Sequence, residues 1–128
     1  MDKSTLIKGA ALGCVAVIFG ALGAHALKNY LTPNQLNSFE TGVRYQMYHA
    51  ILLVSLALFI KKSTSKYIST AINLMFFGVI LFSGSIYLLT LKSMFTLEFL
   101  KFAGPITPIG GILLVVGWLL LIIEGLKK

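Results

Sequence analysis

Four long apolar runs dominate this sequence and limit what the chain can fold into. They occupy residues 6–28, 39–60, 67–91 and 107–126, and each is long enough to cross a hydrocarbon core of about 30 Å as a helix that rises 1.5 Å per residue. Hydrophobic residues make up 57% of the chain and charged residues 12%, which is outside the range of soluble domains. The sequence therefore predicts a single all-α membrane domain, residues 1–128, with four transmembrane helices in an antiparallel bundle.

The basic residues indicate how this bundle is oriented. The formal net charge is +7, but the lysines lie at the ends of the apolar runs and are not interleaved with aromatic residues, so we expect no nucleic-acid partner. In a four-span topology, Lys3, Lys8, Lys61, Lys62, Lys66, Lys127 and Lys128 lie on one side, and Lys28, Arg44, Lys92 and Lys101 on the other. The positive-inside rule predicts a multi-pass protein of the cytoplasmic (inner) cell membrane with both termini in the cytoplasm.

The first apolar run has two interpretations. Lys3, Lys8 and the triplet Ala-His-Ala at 24–26 resemble a cleavable signal peptide. The small residues of this run favour a retained helix instead, because they advance by four, three, four and three positions and so share one helical stripe, where a neighbouring backbone can approach closely. These residues are Gly9, Gly13, Ala16, Gly20 and Gly23.

Two threonine–proline pairs predict helix starts near the outer surface. Thr32 is expected to cap a helix that begins at Pro33, with Gln35 completing a capping box, and Gly42 is a possible bend in that helix. By the same reasoning, Thr107 is expected to cap the last helix, with Pro108 in its first position. The first helix is then expected to stop near residue 30.

Two connections are also predicted. Residues 61–66, KKSTSK, form a short polar hairpin between the second and third spans. On the outer side, Phe95, Phe99 and Phe102 recur at helical spacing, which predicts a short interfacial helix. A non-helical entry rich in glycine and proline, residues 104–111, is expected to follow it.

The polar residues of the spans concentrate at the predicted outer side. The candidates for a binding site are His25, Glu40, Arg44, Tyr45, Gln46, His49, Ser83, Ser85, Tyr87 and Thr107. A charged group that faced hydrocarbon would cost roughly 2.5 to 3.5 kcal/mol on insertion scales, so partners are required. Glu40 and Arg44 can pair at i, i+4, and Tyr45 can stack near His49. With both termini inside, the first and third spans end at the outer surface, and the second and fourth spans begin there. We therefore expect a shared outer-leaflet pocket.

Three functions are compatible with this cluster. In the first, Arg44 and the two histidines line a pocket for a small solute, an anion or a lipid head group. In the second, the polar residues are purely structural and fix helix packing. In the third, His25 and His49 hold a haem or a metal in a redox protein, but the sequence has no Cys-x-x-Cys-His motif and no paired carboxylates. We therefore expect no cofactor and no metal, and the pattern does not favour an enzyme.

The composition requires one partner, the lipid bilayer, and leaves others open. The small-residue stripe of the first span, and the pair Gly110 and Gly117 in the last, suit internal packing or a homo-oligomer equally well. The identity of a small-molecule or lipid ligand does not follow from the residues.

Four motifs in this order resemble one known family. They are GALGAH at 20–25, YQMYH at 45–49, LFSGSIY at 81–87 and GPITPIGG at 104–111. Together they are similar to the small four-span membrane proteins of domain of unknown function family 423, which occur in bacteria and have relatives in eukaryotes, and the similarity extends over essentially the whole chain. The matching residues are His25, Tyr45, Gln46, His49, Ser83, Gly84, Ser85, Tyr87, Thr107 and Pro108. The resemblance implies that the first span is retained, and it implies no activity, substrate or cofactor.

Overall fold

A computed structural model describes residues 1–61 and 64–128. The described chain forms four long helices: α1 (Lys3–His25), α2 (Pro33–Phe59), α3 (Lys66–Phe95) and α4 (Ile106–Leu126). Two short 3-10 helices, Leu27–Asn29 and Glu98–Ala103, lie in the connections after α1 and α3. These residues contain no strand, and the predicted all-α fold of four helices is confirmed.

The helices pack in chain order, and each is antiparallel to the next. At one end of the bundle the backbone N–H of Asp2 donates to the carbonyl of Ala57 at 2.9 Å, and Ser65 donates to Glu124 at 2.7 Å. We call this the termini end, because both chain termini lie there. The opposite end, which carries the two 3-10 helices, is called the loop end. Residues that are distant in the sequence therefore meet at each end.

Glycines set how closely these helices approach. A Cβ built at Gly9 would lie 2.9 Å from the backbone nitrogen of Val54 in α2, and one at Gly23 would lie 3.0 Å from the Phe39 ring. In α4, a Cβ at Gly110 would meet the backbone of Phe82 in α3. The predicted packing role of the small-residue stripe is confirmed, and the structure uses it between α1 and α2 of the same chain.

The interior of the bundle is apolar, and so is most of its outer surface. The core centres on five buried side chains, those of Leu53, Ile72, Met75, Val79 and Leu114. Large apolar side chains also cover the outside, and Phe59 is 84% exposed. An apolar surface of this extent suits lipid and not water. Within the described residues, the segments Lys3–His25, Lys66–Phe95 and Glu98–Leu126 are long and apolar enough to cross a membrane. Helix α2 is equally long but carries more polar residues in its first half.

The structure confirms the helix start predicted at Thr32 and differs from the one predicted at Thr107. The Thr32 side chain accepts the Gln35 N–H while the Gln35 side chain accepts the Thr32 N–H, so the predicted capping box is confirmed. The predicted cap at Thr107 is wrong, because α4 begins at Ile106, two residues before the predicted Pro108, and Thr107 is already inside the helix. Pro108 is then the third helical residue, where its missing N–H breaks no helical hydrogen bond. The expected non-helical entry shrinks to residues 104–105.

Two other ends also differ from expectation. Helix α1 stops at His25, before the predicted end near residue 30, and the 3-10 helix Leu27–Asn29 follows. Helix α3 continues to Phe95 and ends at Thr96, which has a positive φ of 56°. The expected interfacial helix is therefore the shorter 3-10 helix Glu98–Ala103, although Phe99 and Phe102 are exposed on it. Of the predicted hairpin at 61–66, Lys62 and Ser63 lie outside the described residues.

Candidate functional site

Gln46 is the centre of a buried polar network at the middle of the bundle. It is 3% exposed. Its amide nitrogen donates to the backbone carbonyl of Leu12 in α1 at 2.8 Å, and its amide oxygen accepts the hydroxyl of Tyr87 in α3 at 2.6 Å. The carbonyl of Leu12 can accept this bond because a carbonyl oxygen has two lone pairs. One α2 side chain thus connects three helices.

A second contact joins α2 to α3 one turn before Gln46. The hydroxyl of Ser83 donates to the carbonyl of Gly42 at 2.7 Å. A Cβ at Gly42 would lie 3.3 Å from Ile86 and from the Tyr87 ring, so the missing side chain lets α3 approach. Helix α2 continues through this position from Pro33 to Phe59. Gly42 therefore allows close packing of α3 against α2. The sequence had suggested a bend at this position instead.

A third contact joins α3 to α4 near the loop end. The Ser85 hydroxyl donates to the carbonyl of Phe82 at 2.9 Å and also lies within hydrogen-bond distance of the Thr107 hydroxyl. Since the Ser85 proton is used on the carbonyl, Thr107 is the donor of the second bond. This bond accounts for Thr107, the residue that was expected to cap α4.

The fourth contact joins α2 to α4 through His49, which is 4% exposed. Its Nδ1 lies 2.7 Å from the carbonyl of Tyr45, and its Nε2 lies 3.1 Å from the indole nitrogen of Trp118. A carbonyl only accepts and an indole N–H only donates, so the imidazole carries its proton on Nδ1 and is neutral. Sequence reasoning missed Trp118. The signal was available, because a lone indole N–H in an apolar span needs an acceptor.

Glu40 and Arg44 form the ion pair that their spacing predicts. Their side chains are 3.9 Å apart and each is 46% exposed. Arg44 also donates to the hydroxyl of Thr41 at 3.0 Å. The predicted pairing is confirmed, but the pair lies at the surface of α2 and is not part of the buried network.

His25 and Tyr45 are placed differently from the prediction. The exposed His25 is two residues after Gly23, which packs against Phe39 near the start of α2. His49 is ten residues further along α2 than Phe39, a distance of about 15 Å along the helix axis at 1.5 Å per residue. The two imidazoles therefore do not lie at one depth. The ring of Tyr45 packs on Phe82 with 5.0 Å between centroids, and it is the Tyr45 backbone that contacts His49. The expected Tyr45–His49 stacking is wrong because the His49 ring turns toward the carbonyl.

The ten candidate residues are distributed over several contacts, and two open spaces take up three of them: Thr107 lines one, and Tyr45 and His49 line the other. Among residues 1–61 and 64–128, no three His, Cys, Asp or Glu side chains lie close enough together to hold a metal ion. Within the same residues every buried side-chain nitrogen and oxygen has a hydrogen-bond partner. The polar network is therefore complete without a ligand.

Two open spaces adjoin this network. A cleft of about 460 Å³ at the loop end lies between α2, α3 and the start of α4, and Thr107 is the one candidate residue that lines it; we call it the loop-end cleft. A second groove, of about 470 Å³, runs between α2 and α4 and is lined by Tyr45, His49 and Trp118 together with apolar side chains. Sequence reasoning missed most of the polar lining of the loop-end cleft, because its threonines and serines have no charge and no motif.

Comparison with known proteins agrees with this architecture. Residues 19–111 match the family model described as protein of unknown function (DUF423). The chain belongs to this family. It is 41% identical over 125 residues to a UPF0382 membrane protein of Staphylococcus saprophyticus, with 98% of each chain covered. It is 37% identical over 126 residues to the UPF0382 membrane protein YwdK of Bacillus subtilis, again with 98% of each covered. No solved structure matches. The resemblance noted from the four motifs is confirmed, and this family member is a helical membrane protein.

Proposed function

We propose that this protein lies in the cytoplasmic (inner) membrane with both termini in the cytoplasm, and that its loop-end cleft binds the head group of a lipid or a small polar solute. The observation that supports binding is the composition of the cleft. Polar side chains of Gln35, Ser38, Thr41, Thr90, Ser93 and Thr107 line it beside the apolar Ile86 and Leu89. A polar patch against an apolar wall suits a molecule with a polar head and an apolar body.

The hydrogen bonds of these side chains indicate the chemistry of the ligand. Thr41 donates to the carbonyl of Asn37 at 2.9 Å, Thr90 to Ile86 at 3.0 Å and Ser93 to Leu89 at 3.1 Å. Because each hydroxyl proton is used on the backbone, the oxygens of Thr90 and Ser93 present lone pairs, and Thr41, which already accepts a hydrogen bond from Arg44 at 3.0 Å, keeps one more. Such a surface favours a ligand that donates hydrogen bonds, such as an ammonium or a hydroxyl group.

An anion has less support than a donor ligand. Arg44 does not line the cleft, and Glu40 compensates its charge. The ligand class that best fits the loop-end cleft is therefore a head group with N–H or O–H donors and no excess negative charge.

The test compares two lipids that differ in their donors. Phosphatidylethanolamine has an ammonium with N–H groups, whereas the head group of phosphatidylcholine has none. We expect the purified protein to have a higher thermal unfolding temperature in vesicles that contain phosphatidylethanolamine, and Thr90→Val to lose that difference. Ser55→Ala is the matched control, because Ser55 makes the same kind of bond, to Ile51 at 2.8 Å, outside the cleft.

To test a small polar solute, glycerol is added to the protein in phosphatidylcholine vesicles. Glycerol should raise the thermal unfolding temperature of the wild-type protein, and Thr90→Val should reduce this increase. The proposal fails if neither phosphatidylethanolamine nor glycerol stabilises the wild-type protein. It also fails if Ser55→Ala and Thr90→Val lose the effect equally, since the response would then come from the bilayer as a whole.

A second function, in which the polar cluster only fixes helix packing, is favoured by the complete pairing of the buried network. It makes a different prediction. Substitutions at Gln46 or Ser83 should lower the free energy of unfolding while leaving the response to phosphatidylethanolamine unchanged. The two functions concern different residues of the same bundle, so each can be tested by itself.

A further inference from the structure

The termini end of the bundle contains a second cleft, which is lined by lysines and therefore suits a ligand that accepts hydrogen bonds, in contrast to the loop-end cleft. Its volume is about 560 Å³, and its described lining includes Lys3 and Lys8 of α1, Lys61 after α2, and Ser69 and Asn73 of α3. We call it the lysine cleft. Three elements that are far apart in the sequence converge on it, so it is a concave site and not a run of surface charges.

The chain has too few carboxylates to neutralise these lysines. It contains four acidic residues, and three of them pair elsewhere: Glu40 lies 3.9 Å from Arg44, Glu98 3.8 Å from Lys92, and Glu124 2.9 Å from Lys127. The fourth acidic residue therefore has to be considered alone.

That residue, Asp2, lines the cleft but is occupied by the end of α1. Its carboxylate accepts the backbone N–H of Ser4 at 3.2 Å and the hydroxyl of Thr5. The Thr5 hydrogen bond lowers the pKa of the Asp2 carboxyl, so it is ionised at neutral pH. One carboxylate thus faces three lysines, and the side chains around the cleft keep an excess of positive charge.

Lys8 shows where a negative group would sit. It lies about one and a half turns inside α1, where its ammonium is 3.4 Å from the side-chain oxygen of Asn73 and 5.4 Å from the centre of the Phe76 ring. A neutral amide and an aromatic ring stabilise an ammonium weakly compared with an anion. With its oxygen used by Lys8, Asn73 has its amide N–H groups left as donors, and the hydroxyl of Ser69 lies on the same side of the cleft.

We propose that the lysine cleft binds a phosphate group. Phosphate supplies several acceptor oxygens and negative charge, which match lysine ammonium, amide and hydroxyl donors. The cleft is at the end of the bundle that the lysine distribution places in the cytoplasm, where anionic phospholipids are the commonest source of phosphate at a membrane surface. A lipid phosphate and a soluble phosphate share this chemistry, and the experiment separates them. This site lies at the other end of the bundle from the loop-end cleft.

The experiment measures thermal unfolding of the 128-residue chain in phosphatidylcholine vesicles. One arm adds phosphatidylglycerol to the vesicles, and the other adds inorganic phosphate at constant ionic strength. We expect stabilisation in at least one arm, and the arm that responds identifies the source of the negatively charged phosphate, since the phosphate of phosphatidylcholine is neutralised by its own choline. Lys8→Gln should raise the half-saturating concentration about tenfold, since one charge-assisted hydrogen bond contributes on that order. Lys101→Gln is the control, because it removes the same charge from the loop end.

Two results would overturn the proposal: no stabilisation of the wild-type protein in either arm, or an equal loss in Lys8→Gln and Lys101→Gln, which would indicate a response to net charge alone. If Lys8→Gln does not fold, Lys61→Gln provides the same test with an exposed side chain. Because the loop-end cleft lacks these lysines, Thr90→Val should keep the phosphate response, and this separates the two proposals.

Discussion

Replacing Gly110 by alanine should destabilise the bundle, because at this glycine α4 leaves no room for a Cβ beside the backbone of α3. A Cβ at this position would lie against the backbone nitrogen of Phe82, 2.8 Å from its Cα and 2.9 Å from the carbonyl oxygen of Gly78. All three are backbone atoms and cannot rotate away. Ordinary contact requires at least 3.4 Å, so α4 would have to move outward by more than half an ångström.

The magnitude follows from two opposing terms. Overpacking a tightly packed interface costs about 1–3 kcal/mol, and alanine offsets part of this because it is better than glycine in a helix by roughly 0.5–1 kcal/mol. Because the clash is with backbone atoms, the upper part of the overpacking range applies, about 2–3 kcal/mol, and we therefore expect Gly110→Ala to lower the free energy of unfolding by about 1–2.5 kcal/mol, with the Ser85–Thr107 contact weakened by the same displacement. Gly84→Ala should stabilise slightly, since a Cβ at Gly84 meets nothing within 4 Å.

Trp118 provides the assay. It is the single tryptophan of the chain and its ring meets that of His49 edge-on at 5.9 Å, so its fluorescence reports whether α2 and α4 remain packed. Unfolding would be followed in mixed micelles with increasing denaturing detergent. A Gly110→Ala protein as stable as the wild type, measured beside Gly84→Ala, would refute the close approach of α3 and α4.

Three further predictions use the same unfolding measurement or a labelling experiment. Thr32→Val should cost about 1 kcal/mol by removing the capping box, and unchanged stability would mean that α2 starts elsewhere. Gln46→Leu should cost about 1–3 kcal/mol because it leaves the Tyr87 hydroxyl unpaired, and adding Tyr87→Phe should recover part of this loss; strict additivity would contradict the hydrogen bond. In a Cys14→Ala background, Lys128→Cys should react with an impermeant thiol reagent after lysis and not in intact cells, and labelling of intact cells would reverse the proposed orientation.

Much of the fold could be predicted from the sequence because the deciding interactions are local. Continuous apolar runs can be satisfied in a bilayer only by helices, whose backbone groups pair within the same segment. The Thr32 capping box and the Glu40–Arg44 pair join residues three and four positions apart, so their geometry follows from helical periodicity alone. The stripe from Gly9 to Gly23 likewise indicated a packing face, since alternating steps of four and three residues keep small residues on one side of a helix.

The same reasoning was wrong at Thr107, where a threonine–proline pair looked like a helix cap. Whether a threonine caps its helix or bonds a neighbouring helix depends on where the preceding residues sit. Here Pro105 already has helical backbone angles, and the Thr107 hydroxyl is turned to Ser85. A local signal was overridden by a contact 22 residues away in the chain.

What the sequence by itself determined is thus the number and approximate extent of the helices, their small-residue faces, and two contacts within α2, the Thr32 capping box and the Glu40–Arg44 pair. The partners across helices were decided by the tertiary structure: the carbonyl of Leu12 for Gln46, the indole of Trp118 for His49, and the three elements that converge on the lysine cleft. The physical reason is register. A polar side chain in an apolar bundle bonds whichever group lies opposite it, and the glycines that let the helix backbones meet determine which group that is.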